Sequence, residues 1–85
     1  QEAPLILNSA KNALAKAEWD GEVLHETLRS IGEEYGMKLG KAQAPVRVAI
    51  TGRAVGPPLF ESMQVLGRET VIERITVAQQ KLEEQ

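Results

Sequence analysis

Apolar residues recur every three or four positions through most of this chain, and glycine or proline interrupts them at intervals. This spacing places the apolar side chains on one face of a helix. Only "PVRVAITG", residues 45–52, has the β-branched content of a strand, and a lone strand would lack a partner for its backbone groups. The pattern therefore predicts an all-α fold, a compact bundle of about five short helices.

Several residues are of the types that begin or end helices. Asp20 is expected to cap a second helix, and Gly36 is expected to end it. Residues 36–44, "GMKLGKAQA", are predicted to form a loop with short extended character. Pro45 would then lie near the start of a third helix, which ends at Gly52. The remaining apolar stretches predict a fourth and a fifth helix with a glycine between them.

Length and composition limit what the chain can do. A chain of 85 residues is expected to form a single domain over residues 1–85 with a small core. It has no cysteine, which excludes disulfides and thiolate metal sites, and its one histidine, His25, belongs to no catalytic motif. Its apolar runs are too short to span a bilayer, so no membrane partner is expected. By itself, the chain is predicted not to be an enzyme.

Charge is segregated along the chain. Residues 1–34 contain seven acids and three Lys or Arg, whereas residues 35–60 contain no acid and four bases, Lys38, Lys41, Arg47 and Arg53. Residues 61–85 contain five acids and three bases. A basic segment thus lies between two acidic ones, although blocks this dilute are a weak signal by themselves.

The stretch "RVAITGRAVGPPLFE", residues 47–61, has two interpretations. In the plainer one it is a packing turn, and its arginines only keep the surface soluble. In the other it is a rim for single-stranded nucleic acid: Arg47 presents planar donors, Pro57 fixes the next helix, and Leu59 or Phe60 offers an apolar surface to an unstacked base. Physical reasoning from the residues alone favours the packing turn.

Two further functions stay open at this point. Residues 59–75 have the helix, glycine and helix outline of a helix-turn-helix DNA-binding unit, but Glu69 and Glu73 offset Arg68 and Arg74, which weakens that interpretation. Alternatively, the basic segment could dock an acidic partner as part of a helical protein-interaction module.

A longer motif resembles a known family. "LGKAQAPVRVAITGRAVGPPLFESMQVLGRETVIERI", residues 39–75, is similar to the carboxy-terminal anticodon-binding region of bacterial-type glutamyl-tRNA synthetases, which are class I aminoacyl-tRNA synthetases. The shared pattern is Leu/Val-Arg-x-Ala-Leu/Ile-Thr-Gly, a short loop, Pro-x-Leu-Phe, Leu-Gly, and then Arg-Ile or Arg-Leu. The combination is specific, whereas either half alone would not be.

The resemblance implies a helical module that binds the anticodon loop of tRNA(Glu). Arg47 falls on the family arginine that contacts an anticodon base. The turn and helix start that line the anticodon pocket correspond to Gly56, Pro57, Leu59 and Phe60. Thr51, one helical turn after Arg47, and the bases Lys41 and Arg53 complete the predicted RNA-binding residues. Pro58 replaces a glycine found in some members, so no role that needs a free amide is carried over to it.

The resemblance also implies a division of labour. The catalytic signatures of the synthetase are absent from this sequence, and the chain does not begin with methionine, so we expect it to be the terminal piece of a longer enzyme. Glutamylation would use ATP and Mg in a separate catalytic domain, and this chain would need no cofactor and bind no metal. The expected partners are the tRNA and the upstream domains of the synthetase, with no DNA, in the cytoplasm.

Overall fold

Five α-helices make up most of the structure, a computed structural model that describes residues 3–53 and 58–83. In chain order they are α1 (Ala3–Leu14), α2 (Gly21–Glu34), α3 (Leu39–Thr51), α4 (Leu59–Leu66) and α5 (Arg68–Glu83). No strand occurs within the two described ranges. The predicted all-α fold is therefore confirmed, and the ambiguous segment at residues 45–52 is helical.

The helix ends follow the predicted signals. Asp20 caps α2, because its Oδ2 accepts hydrogen bonds from the backbone N of Glu22 at 3.1 Å and of Val23 at 3.4 Å. After α2 and α3 the backbone turns at Gly36, with a φ of 69°, and at Gly52, with a φ of 76°. This left-handed conformation suits glycine because a Cβ would meet the following carbonyl.

The start of α3 differs from the prediction. The helix begins at Leu39, so residues 39–44 are helical rather than a loop, and Pro45 lies inside the helix rather than near its start. Packing explains the difference. Ala42 is fully buried, and a Cβ built on Gly32 of α2 would come within 3.2 Å of the Ala42 Cβ. Because Gly32 has no side chain, the two helices approach closely enough for packing to stabilise a helix start that lacks capping signals.

A single apolar core lies between the helices. Every buried side chain in the described ranges is apolar, and each of the five helices contributes to the set. The members are Ile6, Leu7, Ala10, Leu14, Leu24, Leu28, Ile31, Ala42, Val46, Ile50, Leu59, Met63, Val71 and Ile75. Burial of this surface is the main favourable contribution to folding. None of the described helices combines the length and apolarity needed to cross a membrane.

The short helix α4 is attached to the rest of the core at two buried residues and one hydrogen bond. Leu59 and Met63 are buried, and Trp19, in the connection between α1 and α2, donates its Nε1–H to the Met63 carbonyl at 2.9 Å. Arg68, at the start of α5, places its guanidinium 5.3 Å from the centre of the Trp19 ring and donates to the Ala17 carbonyl. The α1–α2 connection therefore holds the α4–α5 corner in place.

Candidate nucleic-acid interface

A stripe of polar side chains runs along one face of α3. Gln43, Arg47 and Thr51 are spaced four residues apart, which places them on neighbouring turns of the same face. Arg47 donates from Nη2 to Gln43 Oε1 at 3.0 Å, and the Thr51 hydroxyl donates to the Arg47 carbonyl at 2.8 Å. Gln43 thus orients the guanidinium that the motif singles out. Gln43 was not predicted from the sequence, although its spacing of four residues from Arg47 could have indicated it.

Several contacts hold the last turn of α3. The backbone N of Gly52 donates to the Val48 carbonyl at 2.9 Å, and the backbone N of Arg53 donates to Thr51 Oγ1 at 3.2 Å. From α5, Arg74 Nη1 donates to the Ile50 carbonyl at 2.6 Å. Arg53 follows this turn directly and is exposed. The predicted site residues Arg47, Thr51 and Arg53 therefore lie at the fixed end of one helix.

The start of α4 separates the roles of two adjacent residues. The side chain of Leu59 is only 1% exposed, so it packs in the core and offers no open surface to a base in this structure. Phe60 is half-buried, and its ring centre lies 5.2 Å from that of exposed His25 on α2, at an interplanar angle of 57°. Of the two apolar candidates, Phe60 is therefore the one with accessible surface. Gly56 and Pro57 lie outside the described residues.

A cleft lies between the end of α3 and the start of α4. Its volume is about 450 Å³, and Thr51 and Pro58 line it together with Ser62 and Arg74. Among the described residues, Glu61, Val65 and Leu66 of α4 also line it. The structure thus brings Thr51 next to the helix start named by the motif. A larger groove of about 700 Å³ between α1, α3 and α5 is mostly apolar, and none of the predicted site residues that the structure describes lines it.

Lys41 occupies a different position from the one predicted. It is an exposed residue in the first turn of α3, not in a loop, and its backbone N donates to the Lys38 carbonyl at 3.0 Å. Six residues of α-helix separate it from Arg47, which is about 9 Å along the axis and about 120° around it. Lys41 is therefore not on the face that carries Gln43, Arg47 and Thr51.

Comparison with known proteins decides the family. The sequence pattern of the family described as the anticodon binding domain matches residues 1–79. The chain belongs to the anticodon binding domain family. The predicted resemblance is thereby confirmed, and it extends beyond the motif at residues 39–75 to α1 and α2.

Members of this family with similar sequences include bacterial synthetases. The chain is 58% identical over 77 residues to a glutamate–tRNA ligase of Frankia casuarinae, covering 91% of this chain and 16% of that protein. It is 57% identical over 65 residues to a glutamate–tRNA ligase of Thermobifida fusca, covering 76% of this chain and 14% of that protein. The chain therefore spans less than a fifth of the length of these relatives.

The fold is also found in a solved structure. A crystal structure of a glutamate tRNA ligase from Elizabethkingia meningosepticum, in complex with its amino acid, matches this domain with a TM-score of 0.86 at 25% identity. The match covers 93% of this chain and 16% of that chain. The five-helix arrangement is thus shared with one part of a much larger ligase.

The charged residues of α2 form a surface cluster without catalytic features. Arg29 lies 2.7 Å from a Glu26 oxygen and 3.1 Å from a Glu33 oxygen. The hydrogen bond from Arg29 lowers the pKa of Glu26, and the same bond raises the pKa of Arg29. All three side chains are well exposed, so these are helix-surface ion pairs of modest energetic value. Within the described ranges, no group of His, Asp or Glu could hold a metal ion.

The exposed surface of α5 does not favour the interpretation of α4 and α5 as a DNA-binding helix-turn-helix. α5 buries Val71 and Ile75 in the core, while Glu69 and Glu73 are exposed. A helix entering the major groove would bring these carboxylates close to phosphates, which is unfavourable. The helix, glycine and helix outline here serves to pack α4 against α5.

Proposed function

We propose that this chain is the carboxy-terminal anticodon-reading module of a glutamyl-tRNA synthetase and that Arg47 contacts an anticodon base of tRNA(Glu). The observation that supports this most is the placement of Arg47. In a chain of the anticodon binding domain family, its guanidinium is oriented by Gln43 on a polar face of α3. A planar guanidinium held in one orientation can present paired donors to a base edge.

The remaining site residues are proposed to contribute to RNA binding in different ways. Thr51 and Arg53 follow Arg47 at the end of α3, and Phe60 offers a half-buried ring on which an unstacked base can rest. Gly56 and Pro57 lie outside the described residues, and the role proposed for them rests on the motif alone. Leu59 supports that surface from the core. Lys41, on another face of α3, contributes at most through the phosphate backbone.

The proposal assigns the chemistry to the rest of the synthetase. ATP-dependent glutamylation, with Mg, takes place in a catalytic domain outside this sequence, and this module requires no cofactor of its own. It positions the tRNA, together with the upstream domains, in the cytoplasm. Because the relatives are about six times longer than the chain, binding energy is shared with contacts elsewhere on the tRNA.

The decisive experiment compares Arg47 with Lys41 in the full-length synthetase. Each changed to alanine removes one positive charge from α3. Replacing Arg47 is expected to reduce the binding free energy by about 1–3 kcal/mol for the tRNA with the cognate anticodon and by less for one with a mismatched anticodon, because a base contact is lost. Replacing Lys41 is expected to weaken the binding of both tRNAs about equally. Affinities are measured with tRNA(Glu) and an anticodon-substituted tRNA, and circular dichroism confirms folding.

Arg47→Lys separates charge from geometry. It retains the positive charge and loses the planar fork, so we expect it to keep part of the affinity while discriminating as poorly as Arg47→Ala. An equal loss of affinity for both RNAs in Arg47→Ala would reassign Arg47 to a phosphate contact or to packing. The base-reading role would then be rejected for this protein.

A further inference from the structure

Arg74 connects α5 to the end of α3. Its Nη1 lies 2.6 Å from the carbonyl oxygen of Ile50, the penultimate residue of α3. The last four carbonyls of a helix have no amide partner within that helix, so they need donors from elsewhere. Gly52 supplies one for Val48, and Arg74 supplies one for Ile50 from a residue 24 positions away. The last turn of α3 is thus completed by a contact between elements.

This contact also has an electrostatic effect on the site. A helix carries about half a negative charge at its carboxyl end. The last turn of α3 contains no basic residue, yet Arg47, Thr51 and Arg53 lie on it or beside it. A phosphate backbone approaching them would meet the negative ends of these carbonyl dipoles. The Arg74 guanidinium places a full positive charge on one of those carbonyls and reduces this repulsion.

The position of Arg74 suits an indirect role. Its side chain lines both the cleft that contains Thr51 and Pro58 and the larger apolar groove between α1, α3 and α5. It therefore forms part of the wall between these two spaces and lies beside the last turn of α3. The motif at residues 39–75 ends on Arg74 and Ile75, but nothing in the sequence indicated that Arg74 contacts the Ile50 carbonyl.

We propose that Arg74 is a positioning residue for anticodon reading. It holds the last turn of α3 through the Ile50 carbonyl and offsets the partial negative charge there, so that Arg47, Thr51 and Arg53 keep the arrangement that RNA binding requires. This inference rests on the proposed function, and it adds to that function a residue that the motif residues Arg47 to Phe60 do not include.

Arg68 provides a matched control on the same helix. Like Arg74, it is an exposed arginine of α5 that donates to a backbone carbonyl of another segment, in its case that of Ala17. Arg68→Ala and Arg74→Ala therefore remove the same charge and the same type of bond, and Arg68→Ala also removes the contact with the Trp19 ring. They differ in which segment is released: the α1–α2 connection in one case and the end of α3 in the other.

The test measures tRNA charging by the full-length synthetase. We expect Arg74→Ala to raise KM for tRNA(Glu) about five- to tenfold with kcat nearly unchanged, and to reduce discrimination against an anticodon-substituted tRNA, a coupling of the usual size between sites. Arg68→Ala should change KM less than about twofold. Arg74→Lys keeps a cationic donor and should restore part of the loss. Hydrogen exchange should increase in peptides covering residues 48–53 only when Arg74 is replaced.

Salt dependence separates positioning from direct contact. If Arg74 bound a phosphate itself, its removal would lower the slope of log affinity against log salt by about 0.7. We expect the slope to change by much less than this, because Arg74 acts on the phosphates only at a distance, and a fall of about 0.7 would overturn the positioning role. If Arg74→Ala does not fold, Arg74→Gln replaces it, because glutamine keeps a donor and loses the charge. Better discrimination by Arg74→Lys than by Arg74→Gln would then support the proposal, and equal discrimination would overturn it.

The Arg47 variants keep failure of this inference distinct from failure of the function. If Arg74→Ala behaves like Arg68→Ala while Arg47→Ala loses discrimination, the positioning role is wrong and anticodon reading stands. If neither Arg74→Ala nor Arg47→Ala alters discrimination, the proposed function itself is rejected for this surface.

Discussion

The two ends of α3 are built in different ways. At its start, Lys38 has an extended backbone but makes no side-chain capping bond, and Gly40 lies in the first turn. At its end, Gly52 adopts a left-handed conformation, Thr51 bonds to Arg53, and Arg74 bonds to Ile50. The start depends on packing against α2, whereas local and tertiary hydrogen bonds hold the end. Arg47, Thr51 and Arg53, the residues of this segment proposed to form the anticodon-reading surface, lie at the end that is held most firmly, whereas Lys41 lies at the start.

The two ends of α3 differ in how precisely their side chains must be placed. A binding surface needs its donors within narrow limits, because misplaced groups lose contacts steeply. A helix start that faces no ligand can vary more, provided that its buried side chains remain in place. The comparison predicts that the same kind of substitution has different consequences at the two ends of α3.

The largest expected effect comes from Ile50→Ala. Ile50 is 1% exposed in the core beneath the site, and emptying such a position costs about 2–5 kcal/mol of unfolding free energy. Leu39→Ala, at the half-buried start of the helix, should cost less than half as much. Urea unfolding of the 85-residue chain, followed by circular dichroism, checks both. We expect the chain to fold alone because all five helices share one core. Equal losses would contradict the contrast between the ends.

Replacing glycine by alanine should change the free energy of unfolding in opposite directions at the two ends of α3. Gly40 and Gly52 both have open space where a Cβ would be added, but only Gly52 has a positive φ, of 76°. Gly52→Ala should therefore destabilise by about 1–2 kcal/mol through backbone strain. Gly40→Ala should stabilise by about 0.4–1 kcal/mol because alanine has less freedom to lose in a helix. Thermal unfolding of both variants under identical conditions checks this. A shift of the unfolding midpoint in the same direction for both would refute the explanation.

The smallest expected effect comes from adding a cap at Lys38. Asp accepts hydrogen bonds from the first amides of a helix and interacts favourably with its amino end, so Lys38→Asp should stabilise by about 0.5 kcal/mol, the low end of the capping range. Lys38→Ala is the control, since it removes the charge without adding an acceptor. If both variants shifted the urea midpoint equally, charge removal rather than capping would account for the change.

The same contrast explains which parts of the fold were predictable from the sequence. Gly52, Asp20 and the helical apolar spacing act over a few residues, so the helices they define were found correctly. The start of α3 depends on the close approach of Ala42 to Gly32, ten residues apart in sequence and joined only in the folded state. A pattern read along the chain cannot show such contacts, and the segment was wrongly predicted as a loop.

The candidate site was predictable to a similar extent. Periodicity placed Arg47 and Thr51 on one side of a helix, and the structure confirms this spacing. The link from Arg74 to Ile50 joins residues from different helices and was invisible in the sequence. The sequence also could not show that Leu59 is buried while Phe60 is more accessible. Two adjacent apolar residues at a helix start look alike until the core is known. The contacts proposed for Arg47, Arg53 and Phe60 with RNA stay predictions.

The brevity of α4 has a consequence for how the module fails. A helix of 8 residues is far below the ~12–15 residues at which isolated helices become even marginally stable, so α4 depends on its contacts with the core, chiefly those of Leu59 and Met63, and on the Trp19 bond. Heat that opens the core thus dismantles the proposed reading surface in the same event. In a two-state transition, a warmed sample would contain folded molecules with full anticodon discrimination and unfolded molecules that do not bind. Partly discriminating molecules would not accumulate.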